Sequence, residues 1–124
     1  MLNRFVDGTE HIYIACGPTD FRKQIDSLAA LVMKQFELDP YSPSCVFLFC
    51  NKRRTSIKIL RYDKNGFVLA TKKLLNGMKF QWPKVEEEVM DVSPRQVEWL
   101  LEGLSIEQRK AHRDIKLDGK NTCF

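Results

Sequence analysis

Residues 45–50 read CVFLFC, six consecutive apolar, β-favouring side chains, and no other stretch limits the architecture as tightly. The run is long enough for a strand buried on both faces and too short for a helix, so it predicts a central strand. Its neighbours follow directly. TSIKILRYD and FVLATKKLL are separated by KNG, whose Asn65 and Gly66 suit the positive φ of a tight hairpin turn. A further run, MKFQW, comes after the turn-forming pair Asn76-Gly77 and alternates Met78, Phe80 and Trp82 with Lys79 and Gln81. The expectation is an antiparallel meander of about four strands, near 45–50, 55–62, 67–74 and 78–82.

Before the meander, HIYIAC predicts a short strand over 11–15 that Gly17 and Pro18 end. Thr19 then stands as N-cap to a helix over 20–36. Phe21, Ile25, Leu28, Val32 and Phe36 recur at helical spacing, with Asp20 near the positive end of the dipole. After the meander, Ser93-Pro94-Arg95-Gln96 supplies a cap, a proline at the first helical position and a capping-box Gln. Val97, Leu100, Leu101 and Leu104 give this second helix, 94–102, an apolar face, and Gly103 marks its end. The pattern is that of one α+β domain over 1–104, its helices covering one face of the sheet, with a charged extension over 105–124 that is partly helical or frayed. A chain of 124 residues, 44% of them apolar, buries enough surface to fold without a disulfide or metal.

Motifs that carry chemistry are sparse. Cys16, Cys45, Cys50 and Cys123 have no CxxC spacing and read as buried thiols in a reducing compartment; with only His11 and His112 beside them they make no zinc set. No nucleophile sits in a recognisable elbow, and neither GxGxxG nor GxxxxGK[ST] occurs. Glu86-Glu87-Glu88 reads as a solvated face, and a small nuclease would need a specific carboxylate to carry cleavage. The expectation is a protein with no catalytic residue, metal or cofactor. No run approaches the roughly 18 apolar residues of a membrane span, which places the chain in the cytoplasm with no membrane partner.

Charge is the uneven property. Residues 51–84 hold ten lysines and arginines against Asp63 alone, although the whole chain is only +4; residues 85–107 hold seven acids against Arg95. An anionic partner meets this local field and not the net charge. Extended geometry puts Lys58 on a face with Ser56, Leu60 and Tyr62, Arg61 opposite with Ile57 and Ile59, and Lys72 and Lys73 on opposite faces. Edge protection and snorkelling account for some strand lysines, but neither requires ten cations against one acid. The excess points to DNA phosphates contacted by Lys52, Arg53, Arg54, Lys58, Arg61, Lys72, Lys73 and Lys79. Tyr62 and Trp82 suit either base stacking or core packing.

Four segments, ACGPTDFRKQIDSLAALV, FLFCNKRRTSIKILRYDKNGFVLATKKL, GMKFQWP and SPRQVEWLLEGL, resemble the TnpB accessory proteins of the bacterial insertion sequence 66 family, from roughly His11 to Leu104. The motif positions include Thr19, Asp20, Arg22, Lys23 and Asp26 in the first block, Asn51 with the basic triplet in the second, and Trp82-Pro83 in the third. Arg61-Tyr62-Asp63 and Lys79 depart mildly from the family pattern. An unrelated, much longer RNA-guided nuclease shares the name TnpB. The resemblance implies an accessory factor that acts, with a second small protein, beside a separate larger transposase that cuts DNA. DNA contact would make it nucleoid-associated. The other reading is a protein–protein adaptor in the same complex that never meets DNA.

Overall fold

The computed structural model describes residues 6–85 and 88–108. Strand β2 (Cys45–Cys50) is the middle strand of a five-stranded sheet, as its unbroken apolar run requires. Its alternate residues divide two cores. Val46, Leu48 and Cys50 meet Ile12, Ile14, Ile57 and Ile59 on one face. Phe47 and Phe49 meet Ala15 and Leu60 on the other. Both phenylalanines are buried, which stabilises the fold by about 1.5–3 kcal/mol each.

Strands β3 (Ser56–Asp63) and β4 (Gly66–Lys73) form the next two strands of the expected meander, with Leu48 opposite Ile59 and Ser56 opposite Lys73. On the other side of β2, β1 (His11–Ala15) runs parallel to it, and β5 (Val89–Val92) pairs antiparallel with β1. The order is therefore β4-β3-β2-β1-β5. A parallel pair needs a long crossover connection, and helix α1 (Ile25–Lys34) lies within it.

Several expectations are corrected. The helices do not share a face: Leu28 and Val32 of α1 pack with Phe47 and Phe49, whereas Val97, Leu100 and Leu101 of α2 (Pro94–Leu101) pack with Ile12 and Val46. A strand apolar on both sides exposes one side to water unless each is covered. Residues 78–82 form no strand. Their alternation does bury Phe80 and Trp82 while Lys79 and Gln81 stay exposed, but Phe80 N–H donates to the Arg54 carbonyl of a loop, and β5 takes the ladder beside β1. In the β3–β4 turn the positive φ falls on Lys64, at 55°.

Helix α1 starts five residues later than expected, at Ile25, with Gln24 as a cap that makes no side-chain bond. The reason lies in Asp20. Its carboxylate accepts the Arg22 amide at 3.0 Å and the Arg22 guanidinium at 2.8 Å, closing a local turn that competes with helix. This exposed pairing lowers the Asp20 pKa to about 2, chiefly through the guanidinium hydrogen bonds. Helix α2 agrees closely with expectation: Ser93 Oγ accepts Gln96 N–H, Gln96 Oε1 accepts Ser93 N–H, and Gly103, at φ 86°, follows its end. Ser105 to Gln108 closes a further local turn, through Gln108 Nε2 donating to Ser105 O, and the remainder of the expected extension, 109–124, lies outside the described residues. No described helix is long and apolar enough to cross a membrane.

Candidate nucleic-acid interface

The carboxyl ends of the parallel strands β1 and β2 lead into two loops. After Cys50 the chain folds around Asn51. The Asn51 Oδ1 accepts the amides of Thr55 (2.9 Å) and Ser56 (3.1 Å), Nδ2 donates to Thr55 Oγ1 (3.0 Å), and Arg54 N–H returns to Asn51 O. Arg54 closes the loop at φ 62°, a conformation disfavoured for most side chains. The result is a short, internally bonded loop that holds Lys52 and Arg53 in solvent and Arg54 half-buried.

Neighbouring segments tie onto this loop. Thr19 N–H donates to Cys50 O at 2.8 Å, Leu74 N–H to Thr55 O at 2.7 Å and Phe80 N–H to Arg54 O at 2.7 Å. Trp82, 5% exposed, donates its Nε1–H to Ala15 O at 2.8 Å, and Gly17 N–H donates to Pro83 O. Between these segments lies a cleft of about 470 Å³, with Trp82, Gly17 and Pro18 against the sheet and Lys52, Arg54, Lys84 and Val85 also lining it. Among the described residues, the charged ones that line it are all cationic. It opens where α/β sheets commonly bind ligands, outside the carboxyl ends of parallel strands.

The eight cations singled out from the sequence separate into two groups. Lys52, Arg53 and Arg54 share the loop; Lys73 lies opposite Ser56 at the same end of the sheet, and exposed Lys79 precedes the Phe80 amide bound to Arg54 O. The other three donate to backbone carbonyls. Lys58, 7% exposed, gives its ammonium to Phe21 O (3.0 Å) and Lys23 O (2.9 Å) beneath the Phe21 ring, 4.7 Å from its centroid, and burial lowers its pKa. Lys72 donates to Leu101 O at 2.8 Å, fastening β4 to the end of α2. Arg61, paired with Val68, reaches Asp7 O and Pro43 O. Lys84 was not singled out, although its position directly after Trp82-Pro83 is a usable signal: a motif buried against the loop brings the next side chain to the cleft.

The motif positions build this end of the molecule. Thr19, Trp82 and Pro83 make the bonds that join its segments, Asn51 bonds within its own loop, Asp20 and Arg22 close the turn before α1, the Lys23 carbonyl accepts the Lys58 ammonium, and Asp26 lies in the first turn of α1. The Cys50 thiol beneath the loop is buried, and that burial pushes its pKa up to about 12, so it stays protonated and unreactive at neutral pH. Among the described residues, no three His, Cys, Asp or Glu side chains gather where they could hold a metal ion.

Two proteins of Sinorhizobium fredii are similar to this chain. Uncharacterized protein y4jC is 36% identical over 93 residues, covering 75% of this chain and 78% of its own. Uncharacterized protein y4hO is 34% identical over 93 residues, covering 75% and 79%. No solved structure matches. The pattern of the family described as IS66 Orf2 like protein matches over residues 10–111, which takes in both loops of the cleft and every motif position named above. The chain therefore belongs to the IS66 Orf2-like family and is an accessory protein associated with an insertion sequence.

Proposed function

We propose that this accessory protein acts in transposition without catalysis, holding DNA phosphates at the basic end of its sheet and assisting a separate transposase. One observation carries the reading. Lys52 and Arg53 project from a loop whose fold is fixed by the Asn51 side chain bonding Thr55 and by Arg54 N–H returning to Asn51 O, none of which needs a cation at the tip. Lys73, Lys79 and Lys84 extend the same cationic end, and counterions released from the phosphates they replace would drive binding. Exposed Glu98 on α2 and exposed Glu102 at its C-terminal cap offer a separate surface to the transposase or a second small accessory protein.

A second reading, a protein adaptor that never meets DNA, draws support from Lys58, Lys72 and Arg61, whose carbonyl contacts reduce the cations presented to a partner. Lysine acetylation footprinting separates the two. Naked DNA should protect Lys52, Lys73, Lys79 and Lys84 while Lys34 on α1 keeps its reactivity. Protection of those lysines by the transposase and never by DNA would overturn the first reading in favour of the second.

A further inference from the structure

Among the described large hydrophobic residues, Leu75 and Met78 are the two most exposed, at 65% and 55%. They are not scattered. Both flank one tight turn in which Asn76 (φ 57°) and Gly77 (φ 76°) have the two positive φ values a type I′ turn requires, and Met78 N–H returns to Leu75 O at 3.2 Å. The turn is also braced from behind. Leu74 N–H is bonded to Thr55 O and Phe80 N–H to Arg54 O, so both of its ends are fastened to the loop bearing Lys52 and Arg53.

Along the chain, the charges that flank it have one sign. Exposed Lys73 and Lys79 are the nearest charged residues on either side, and no acid occurs from Lys64 to Val85. A solitary exposed Leu is ordinary, but two apolar side chains at the tip of a rigid turn contribute nothing to the core and invite association. An anionic partner with an apolar interior matches the pattern, and stacked bases between phosphate backbones are one such partner.

We propose that this turn is a DNA wedge: Leu75 and Met78 enter the minor groove and part a base step, bending the duplex, while Lys73 and Lys79 hold the flanking phosphates. The inference rests on the reading that the basic end contacts DNA, and adds DNA bending as a further activity. Flexible pyrimidine–purine steps such as TA unstack most readily, so they are the preferred sites. Two side chains on a tight turn present too little apolar area for stable attachment to a membrane, where amphipathic helices or lipid chains serve.

The test uses a duplex of roughly 30 base pairs with a central TA step and a fluorophore pair at its ends, the full chain, and the salt dependence of affinity measured in parallel. The wild-type protein should raise energy transfer to a bend of about 20–90°. Leu75→Ser with Met78→Ser alters only exposed side chains; it should abolish the bend and weaken binding about tenfold while leaving the salt slope unchanged. Lys52→Ala with Arg53→Ala should do the reverse, lowering the slope and keeping the bend at saturation. A duplex bound straight by the wild type, or bent equally by the serine variant, overturns the wedge and leaves phosphate contact standing. Absence of any DNA binding removes the underlying reading and the wedge with it. Vesicles of anionic phospholipid serve as the last arm: capture that depends on Leu75 and Met78, with DNA bending unaffected by their loss, assigns the turn to lipid and overturns the proposal.

Discussion

Lys58→Met tests whether a lysine in the middle of a basic hairpin is an internal strut. The ammonium makes two charged hydrogen bonds to carbonyls, at 3.0 and 2.9 Å, and lies over the Phe21 ring. Charge-assisted bonds are worth about 1.5–3 kcal/mol each, and the ring contact about 0.5–1 kcal/mol. Offsetting this, methionine removes a poorly solvated charge, and water reaches part of the half-buried 21–23 turn, so the net loss is about 2–3 kcal/mol. At roughly 4 °C per kcal/mol for a chain of this length, the thermal midpoint falls by about 8–12 °C. Differential scanning calorimetry reads it directly. The sign with pH is also fixed. Burial lowers the Lys58 pKa below its ordinary 10.5, so between the lowered value and 10.5 the unfolded chain binds the proton more tightly. The contribution of this group to stability therefore rises with pH through that window, and the methionine variant loses the rise. A midpoint equal to or above that of the wild type would refute the strut. So would a shallower salt dependence of DNA binding, because a strut contributes no phosphate contact.

Other changes probe the surrounding framework. Trp82→Phe removes the indole bond to Ala15 O and leaves a small void beside the cleft, lowering stability by about 2 kcal/mol in urea unfolding. Ser93→Ala breaks the capping box of α2 and costs about 1 kcal/mol in the same assay. Arg54→Asn keeps the loop, since Asn tolerates positive φ, whereas Arg54→Val destabilises by about 2 kcal/mol; equal midpoints for the two would contradict the backbone geometry at φ 62°.

Much of the fold was legible because local and tertiary preferences agree. CVFLFC is the middle strand, the two runs after it pair as a hairpin although its turn is Lys64-Asn65 with the positive φ on Lys64, and Ser93 with Gln96 caps α2. The same run also held the signal for a layer on each side of the sheet, which an arrangement with both helices on one face fails to satisfy. Where prediction slipped, a specific interaction had displaced a propensity. Asp20 bonds Arg22 and delays α1, and the Arg54 carbonyl captures the Phe80 amide where MKFQW suggests a ladder. VMDV, only four residues with Asp91 inside it, gave little strand signal; its place on β1 is fixed by pairing and by Asp91 Oδ2 meeting His11 Nδ1 at 2.7 Å. At the candidate interface, the sequence located the basic triplet and the Asn51 and Trp82 motifs. It did not distinguish a lysine that faces solvent from one that reaches a carbonyl 37 residues away, because that depends on which loop packs above the strand.

The most direct test of phosphate contact at this end of the sheet is the salt dependence of DNA affinity, wild type against Lys52→Ala, Arg53→Ala, Arg54→Asn. Removing the cation from one neutralised phosphate should reduce the slope of log affinity against log salt by about 0.9, so the triple variant should be shallower by about 2–3. An unchanged slope in a folded variant, or wild-type binding that salt does not weaken, would contradict the account.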